Sequence, residues 1–195
     1  MTHGRNNRGF TVIELVVAIA IMGSMVLAIP AFRTWQSIMQ VNNAARIVAQ
    51  DLRLARSLAV DRASNVIVTF DLTGHSYSVY VDRDGDGPQI YDLEKTVTLG
   101  QLAPGVQFNT SSEAGVGGGA VSAGVMLSGG GSPPSCTFRP NGEALNPGAV
   151  YLLSKADTAP GARDRNRAVQ ILTTGRITAM RWSGQNPSDP WVPYL

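Results

Sequence analysis

The chain has 195 residues, 44% of them hydrophobic, 15% charged and 7% aromatic, with 21 Gly and 11 Pro. That length suits one compact domain with an appendage, and the low charged share excludes a disordered or broadly charge-coated chain. The single cysteine, Cys136, excludes an internal disulfide framework and multi-cysteine zinc sites, while His3 and His75 leave little for a histidine-based centre. The net charge of +2 comes from Arg5 and Arg8, so the chain beyond Gly9 is neutral. The apolar residues are unevenly distributed: from Phe10 to Phe32 the only charged residue is Glu14.

Residues 1–9 read as a short polar leader, and Arg8-Gly9-Phe10-Thr11-Val12-Ile13-Glu14 forms an abrupt junction with the apolar run. As a helix, residues 10–32 would rise about 33 Å, enough for a hydrocarbon core of about 30 Å. Arginines on the leader side keep that end cytoplasmic and place the remainder across the membrane. A secretory signal, a plain anchor and a polymerisation segment all share this pattern. Ile29-Pro30-Ala31 is a poor cleavage site for a secretory signal, and a plain anchor leaves Glu14 unexplained. Cutting between Gly9 and Phe10 would create an α-amino group able to pair with a Glu14 carboxylate of a staggered neighbour. Pro30 removes a helical hydrogen bond and is expected to bend or loosen the helix.

At these residues the sequence resembles the type IV pilin and pseudopilin superfamily, whose members carry a basic leader ending in Gly, then Phe-Thr-x-x-Glu and an apolar helix. The resemblance implies cleavage after Gly9 by a prepilin peptidase and N-methylation of Phe10. It also implies pairing of Glu14 with the amine of an adjacent subunit during filament assembly.

Beyond Pro30, apolar or small residues recur three and four apart at Ile38, Val41, Ala45, Val48, Leu52, Ala55 and Ala59. This predicts an amphipathic continuation over residues 33–63, with Arg46, Gln50, Arg53 and Ser57 on a solvated or subunit-facing side. From Asn65 the period becomes two: Val66, Val68 and Phe70, then Tyr77, Val79 and Val81 across Thr73-Gly74-His75, predict a hairpin. Further strands are expected at 89–99, 106–109, 121–127, 136–139, 149–154, 167–173 and 176–182, with turns at Asn141-Gly142 and Thr174-Gly175. Residues 114–135, with eight glycines and two prolines, read as a surface loop, and residues 183–195 as an irregular tail. The expected fold class is therefore α+β: a long N-terminal transmembrane and amphipathic helix followed by a mainly antiparallel, β-sandwich-like head over residues 64–195.

The run Arg53-Leu54-Ala55-Arg56-Ser57-Leu58-Ala59 before the first strand resembles the Asp-Leu-Arg-x-Ala-Arg-x-x-Ala segment of the GspH/FimT pseudopilins. Phe138-Arg139-Pro140-Asn141-Gly142, Arg167-Ala168-Val169-Gln170-Ile171 and Gly175-Arg176-Ile177 resemble that family's closing strands. The family implies a minor pilin-like subunit, near a filament tip, of a type II secretion pseudopilus or a type IV pilus. It also implies an inner-membrane, single-pass protein with a cytoplasmic N-terminus and a periplasmic head, whose partners are other pilin or pseudopilin subunits and the prepilin peptidase.

Two local patterns suggest ligands. Asp82, Asp84 and Asp86 alternate ahead of Gly87 like the first half of a calcium loop, but Leu93 occupies the place of the bidentate acid, so an acidic turn is the plainer reading. Arg163, Arg165, Arg167, Arg176 and Arg181 form a C-terminal basic cluster; resemblance to FimT-type pilins makes DNA binding during natural transformation the alternative function. No catalytic residue, cofactor or small-molecule substrate is indicated. Gly117-Gly118-Gly119 lacks the Lys-Ser/Thr of a phosphate loop, and His75 sits in a turn rather than beside a nucleophile.

Overall fold

The structure, a computed structural model, describes residues 11–82, 92–110, 114–129, 131–157, 165–185 and 190–194. Helix α1 runs from Val12 to Asp61, unbroken through Pro30. Residues 1–36 and 37–195 form two compact units.

In the first unit, α1 is apolar on every side, and its described side chains from Val12 to Met25 are largely exposed. Among the described residues no helix is long and apolar enough to cross a membrane. The span expected over residues 10–32 includes Phe10 and the side chains of 26–31, which lie outside those residues.

In the second unit, the three-and-four spacing produces the amphipathic face: Val41, Ala45, Val48, Leu52, Ala55 and Ala59 are all fully buried. Ala44 and Ala49 are buried too, so the face of α1 that meets the core is lined largely by small side chains. The helix ends at Asp61 because Ala63 turns left-handed at φ +49°, and the Ser64 N–H then donates to the Ala59 carbonyl.

Two antiparallel sheets follow. The first contains β1 (Val66–Asp71), β2 (Ser76–Val81), β3 (Asp92–Thr98) and β6 (Ser135–Phe138), in the order β3-β2-β1-β6. The second contains β4 (Val106–Phe108), β5 (Val125–Leu127), β7 (Gly148–Ser154), β8 (Arg167–Ile171), β9 (Ile177–Trp182) and β10 (Trp191–Pro193). Its order is β10-β9-β8-β7-β4, with β5 also pairing β7. A short helix α2 (Leu99–Leu102) leads from β3 toward β4.

The inner faces of both sheets and the buried face of α1 form one core. Val66, Val68, Phe70, Tyr77 and Phe138 come from the first sheet, and Val150, Leu152, Val169 and Ile171 from the second. Phe70, Tyr77 and Phe108 pack edge-on or tilted at centroid distances of 5.7–6.5 Å. A second cluster, Ala149, Tyr151, Ala168, Met180 and Trp191, lies on the opposite face of the second sheet.

That second cluster explains two departures from the expected elements. The tail is not wholly irregular: β10 pairs β9 in the register Trp191↔Trp182, which buries Trp191. The glycine-rich loop folds back on the same face, where Val116 N–H donates to the Tyr151 hydroxyl at 3.0 Å and Trp191 Nε1 donates to the Ala114 carbonyl at 3.0 Å. Only glycine fits at 115, because a Cβ there would lie 2.7 Å from the Tyr151 oxygen.

Candidate assembly and basic sites

The processing residues Gly9 and Phe10 lie outside the described residues. Immediately after them, Thr11 caps α1. The Glu14 N–H donates to Thr11 Oγ1 at 3.3 Å and to the Thr11 carbonyl at 3.1 Å, and Leu15 N–H reaches the same carbonyl at 3.2 Å. Thr11-Val12-Ile13-Glu14 therefore starts the helix in the Ser/Thr-x-x-Glu pattern, with Glu14 in the first turn. Sequence reasoning used Glu14 for subunit pairing and missed this capping signal, which the three-residue spacing carries. The exposed Glu14 carboxylate also lies at the positive end of the helix dipole.

The basic cluster does not form a single surface. Arg163 lies outside the described residues. Arg165 forms an ion pair with the buried Asp157, whose other oxygen accepts from the Ser37 hydroxyl of α1. Arg167 is buried; its Nε donates to Asn42 Oδ1 at 2.6 Å, and its guanidinium lies 5.6 Å from the centroid of the Tyr194 ring. Burial raises the Tyr194 pKa, while Arg167 and Arg46 act to lower it. Only Arg176 and Arg181 of the cluster are both described and exposed. Arg165 and Arg167 thus anchor loop and strand to the helix, a use that alternation along the sequence does not reveal.

The arginine face of α1 is also not simply solvated. Arg53 Nη2 donates to the Ile177 carbonyl at 3.2 Å, and Arg56 donates through Nε to the Gly142 carbonyl at 2.8 Å and through Nη2 to the Thr174 carbonyl at 3.4 Å. Both turns it reaches contain a left-handed glycine, Gly142 at φ +81° and Gly175 at φ +73°. One helical side chain therefore fastens two distant hairpin ends.

On the other side, Asp51 accepts from Tyr77 Oη at 2.5 Å and from Lys95 Nζ at 2.8 Å on each oxygen. Burial, followed by the hydrogen bond and charge of Asp51, raises the Tyr77 phenol pKa well above its usual range. This group ties α1 to β2 and β3. The run from Asp51 to Arg56 therefore alternates docking bonds (Asp51, Arg53, Arg56) with core residues (Leu52, Ala55).

Asp82 is buried at the end of β2 and its N–H donates to the Asn65 carbonyl, whereas Asp84 and Asp86 lie outside the described residues. Among the described residues no group of three His, Cys, Asp or Glu side chains could hold a metal ion. Cys136 is fully buried, and burial pushes its thiol up to about 12, so it is a core residue rather than a nucleophile. His75 occupies a turn at φ +47°.

Comparison with known proteins agrees with this architecture. A family model for the type II transport protein GspH matches residues 44–175, and one for the prokaryotic N-terminal methylation motif matches residues 4–30. The fold is similar to that of the minor pseudopilin EpsH from the type 2 secretion system of Vibrio cholerae, with a TM-score of 0.50 and 14% identity over 73% of this chain and 97% of that one. The type IV minor pilin FimU of Pseudomonas aeruginosa matches with a TM-score of 0.46 and 17% identity over 71% of this chain and 90% of that one. No curated protein sequence matches the chain. With two thirds of its length matched by one family model and its N-terminus by a second, the chain belongs to the type II transport GspH family of pseudopilin-like structural subunits and carries the prokaryotic N-terminal methylation motif.

Proposed function

We propose that this subunit is cleaved between Gly9 and Phe10 by a prepilin peptidase, N-methylated on Phe10, and assembled near the tip of a pseudopilus or pilus through the first part of α1. Before assembly that segment is stored in the inner membrane as a single pass, with the head in the periplasm. The observation that carries the reading is the apolar surface of α1: Val12, Ile13, Leu15, Val16, Ile19, Met22 and Met25 are each more than half exposed. Such a surface needs lipid or protein around it, and an apolar helix can exchange one for the other without chemical change. Mass spectrometry of the N-terminus of protein recovered from cells tests the processing. A first residue of methylated Phe10 is expected, and an intact leader would overturn the proposal.

The DNA-binding alternative has less support, because Arg165 is paired with Asp157 and Arg167 is buried. It would rest on Arg176 and Arg181, and on Arg163 beyond the described residues. Gel shifts at low salt with and without Arg176→Ala and Arg181→Ala distinguish it. A shift abolished by those substitutions would establish it; no shift would dismiss it.

A further inference from the structure

Phe32, Arg33 and Trp35 follow the apolar run on α1, and all three are exposed, Phe32 by 61% and Trp35 by 56%. The two rings contact one another at a centroid distance of 6.0 Å with a 36° tilt, so they present a joint aromatic surface to the outside of the helix. Arg33 is the first charged residue after Glu14, which leaves positions 15–32 without charge.

The spacing matches a bilayer. On a continuous helix Glu14 and Trp35 are about 31 Å apart, and Glu14 and Arg33 about 28 Å, against a hydrocarbon thickness of about 30 Å. Tryptophan and arginine belong at the headgroup boundary: an indole has an apolar body and a polar N–H, and a guanidinium can extend to phosphate. A carboxylate at the opposite boundary also remains hydrated. If the helix slid by one turn in either direction, Glu14 or Arg33 would enter the hydrocarbon.

We propose that Phe32, Arg33 and Trp35 form an interfacial belt that docks into the headgroup layer of the outer leaflet of the inner membrane and, together with Glu14 at the cytoplasmic face, fixes the depth at which the subunit waits before assembly. This rests on the membrane-storage reading above and adds the register. It also gives Glu14 a second use: its carboxylate is held at the membrane surface where an arriving subunit can meet it.

The test uses the full chain in phosphatidylethanolamine and phosphatidylglycerol vesicles carrying a nitroxide either near the headgroup or near the bilayer centre. The Trp35 signal is the difference between the unmodified protein and Trp35→Phe, which leaves Trp182 and Trp191 in place. The Met22→Trp variant reports the middle of the span. Trp35 is expected to be quenched at least about twofold more by the shallow nitroxide, and the residue-22 tryptophan more by the deep one. If the residue-22 tryptophan is quenched by the deep probe while Trp35 responds to neither, or more to the deep probe, the belt is refuted and membrane storage stands. If the residue-22 tryptophan is not quenched by the deep probe, the span itself fails and the belt fails with it.

Discussion

Gly175 and Gly105 both have φ near +80°, yet their surroundings predict different costs for the same substitution. At Gly175, φ is +73° and a Cβ would lie 1.9 Å from the Gly142 carbonyl oxygen and 2.7 Å from Arg56 Nε. At Gly105, φ is +83° with nothing within 4 Å. Gly105→Ala is therefore expected to cost only the left-handed strain, about 1 kcal/mol, whereas Gly175→Ala also pushes two turns apart and loosens Arg56, costing about 2 to 4 kcal/mol. Urea midpoints of the two variants at equal m-value measure the difference; equal midpoints would show that the turns do not press on each other. Cys136 gives a pH prediction. Its thiol is raised from an ordinary value near 9 to about 12, so above pH 9 the unfolded chain releases a proton that the folded chain retains. Stability contributed by this group is fully present below pH 9 and is lost as pH rises toward 12, by up to about 1.4 kcal/mol per pH unit. The raised Tyr77 phenol has the same sign at higher pH. Cys136→Ala should flatten the fall in urea midpoint between pH 8 and 10.5, and an unchanged slope would assign the loss to other groups.

At the scale of elements, the glycine-rich loop is expected to depend on one hydroxyl. Tyr151 Oη accepts from Val116 N–H, and its ring packs on Trp191 at 5.6 Å. Tyr151→Phe keeps the ring and removes the bond, so it should cost about 1 kcal/mol and speed hydrogen exchange at Val116, leaving the core amides of β1 unchanged. Uniform acceleration across the head would instead mean that the loop and core open together. How legible such elements were depends on how their faces are covered. The period-two pattern of Val66, Val68, Phe70 and Tyr77, Val79, Val81 was plain because only one face of β1 and β2 meets the core. In β7, Ala149, Tyr151 and Leu153 are buried as well as Val150 and Leu152, so alternation disappears and the covering loop and β10 leave no periodic trace. The helix was readable for the same reason as the hairpin, since its buried stripe is one-sided. The bonds from Arg53 and Arg56 were not, because an arginine reaching a backbone carbonyl 86 or more residues away has the same local pattern as one facing water. Arg165 and Arg167 show the converse: alternating cations suggest an anion-binding edge, but Asp157, just ahead in the chain, pairs with Arg165, and the amide of Asn42, far away on α1, engages Arg167.

For the whole molecule, the decisive residue is Glu14, because capping, membrane placement and subunit pairing predict different effects of changing it. As a helix-start residue it contributes through the dipole, worth about 0.3 to 1 kcal/mol, and the Thr11 cap onto its backbone N–H survives any side-chain change. Removing a carboxylate from the boundary of a lipid-embedded helix makes insertion easier, not harder. The dipole contribution also uses the charge but is small, so only pairing with a neighbour's amine makes assembly depend strongly on it. Glu14→Ala is therefore expected to leave insertion and cleavage after Gly9 intact while reducing recovery in sheared filaments at least about tenfold, equivalent to 1.4 kcal/mol or more of lost pairing inside an apolar bundle. Glu14→Gln, which keeps the shape and loses the charge, should fail nearly as badly, whereas Glu14→Asp should retain part of the function. Normal incorporation of Glu14→Gln would mean that the position serves assembly through shape or capping, and the charge pairing would have to be abandoned. A failure of cleavage in the same variants would show that the peptidase reads this carboxylate and would move its role from filament register to processing.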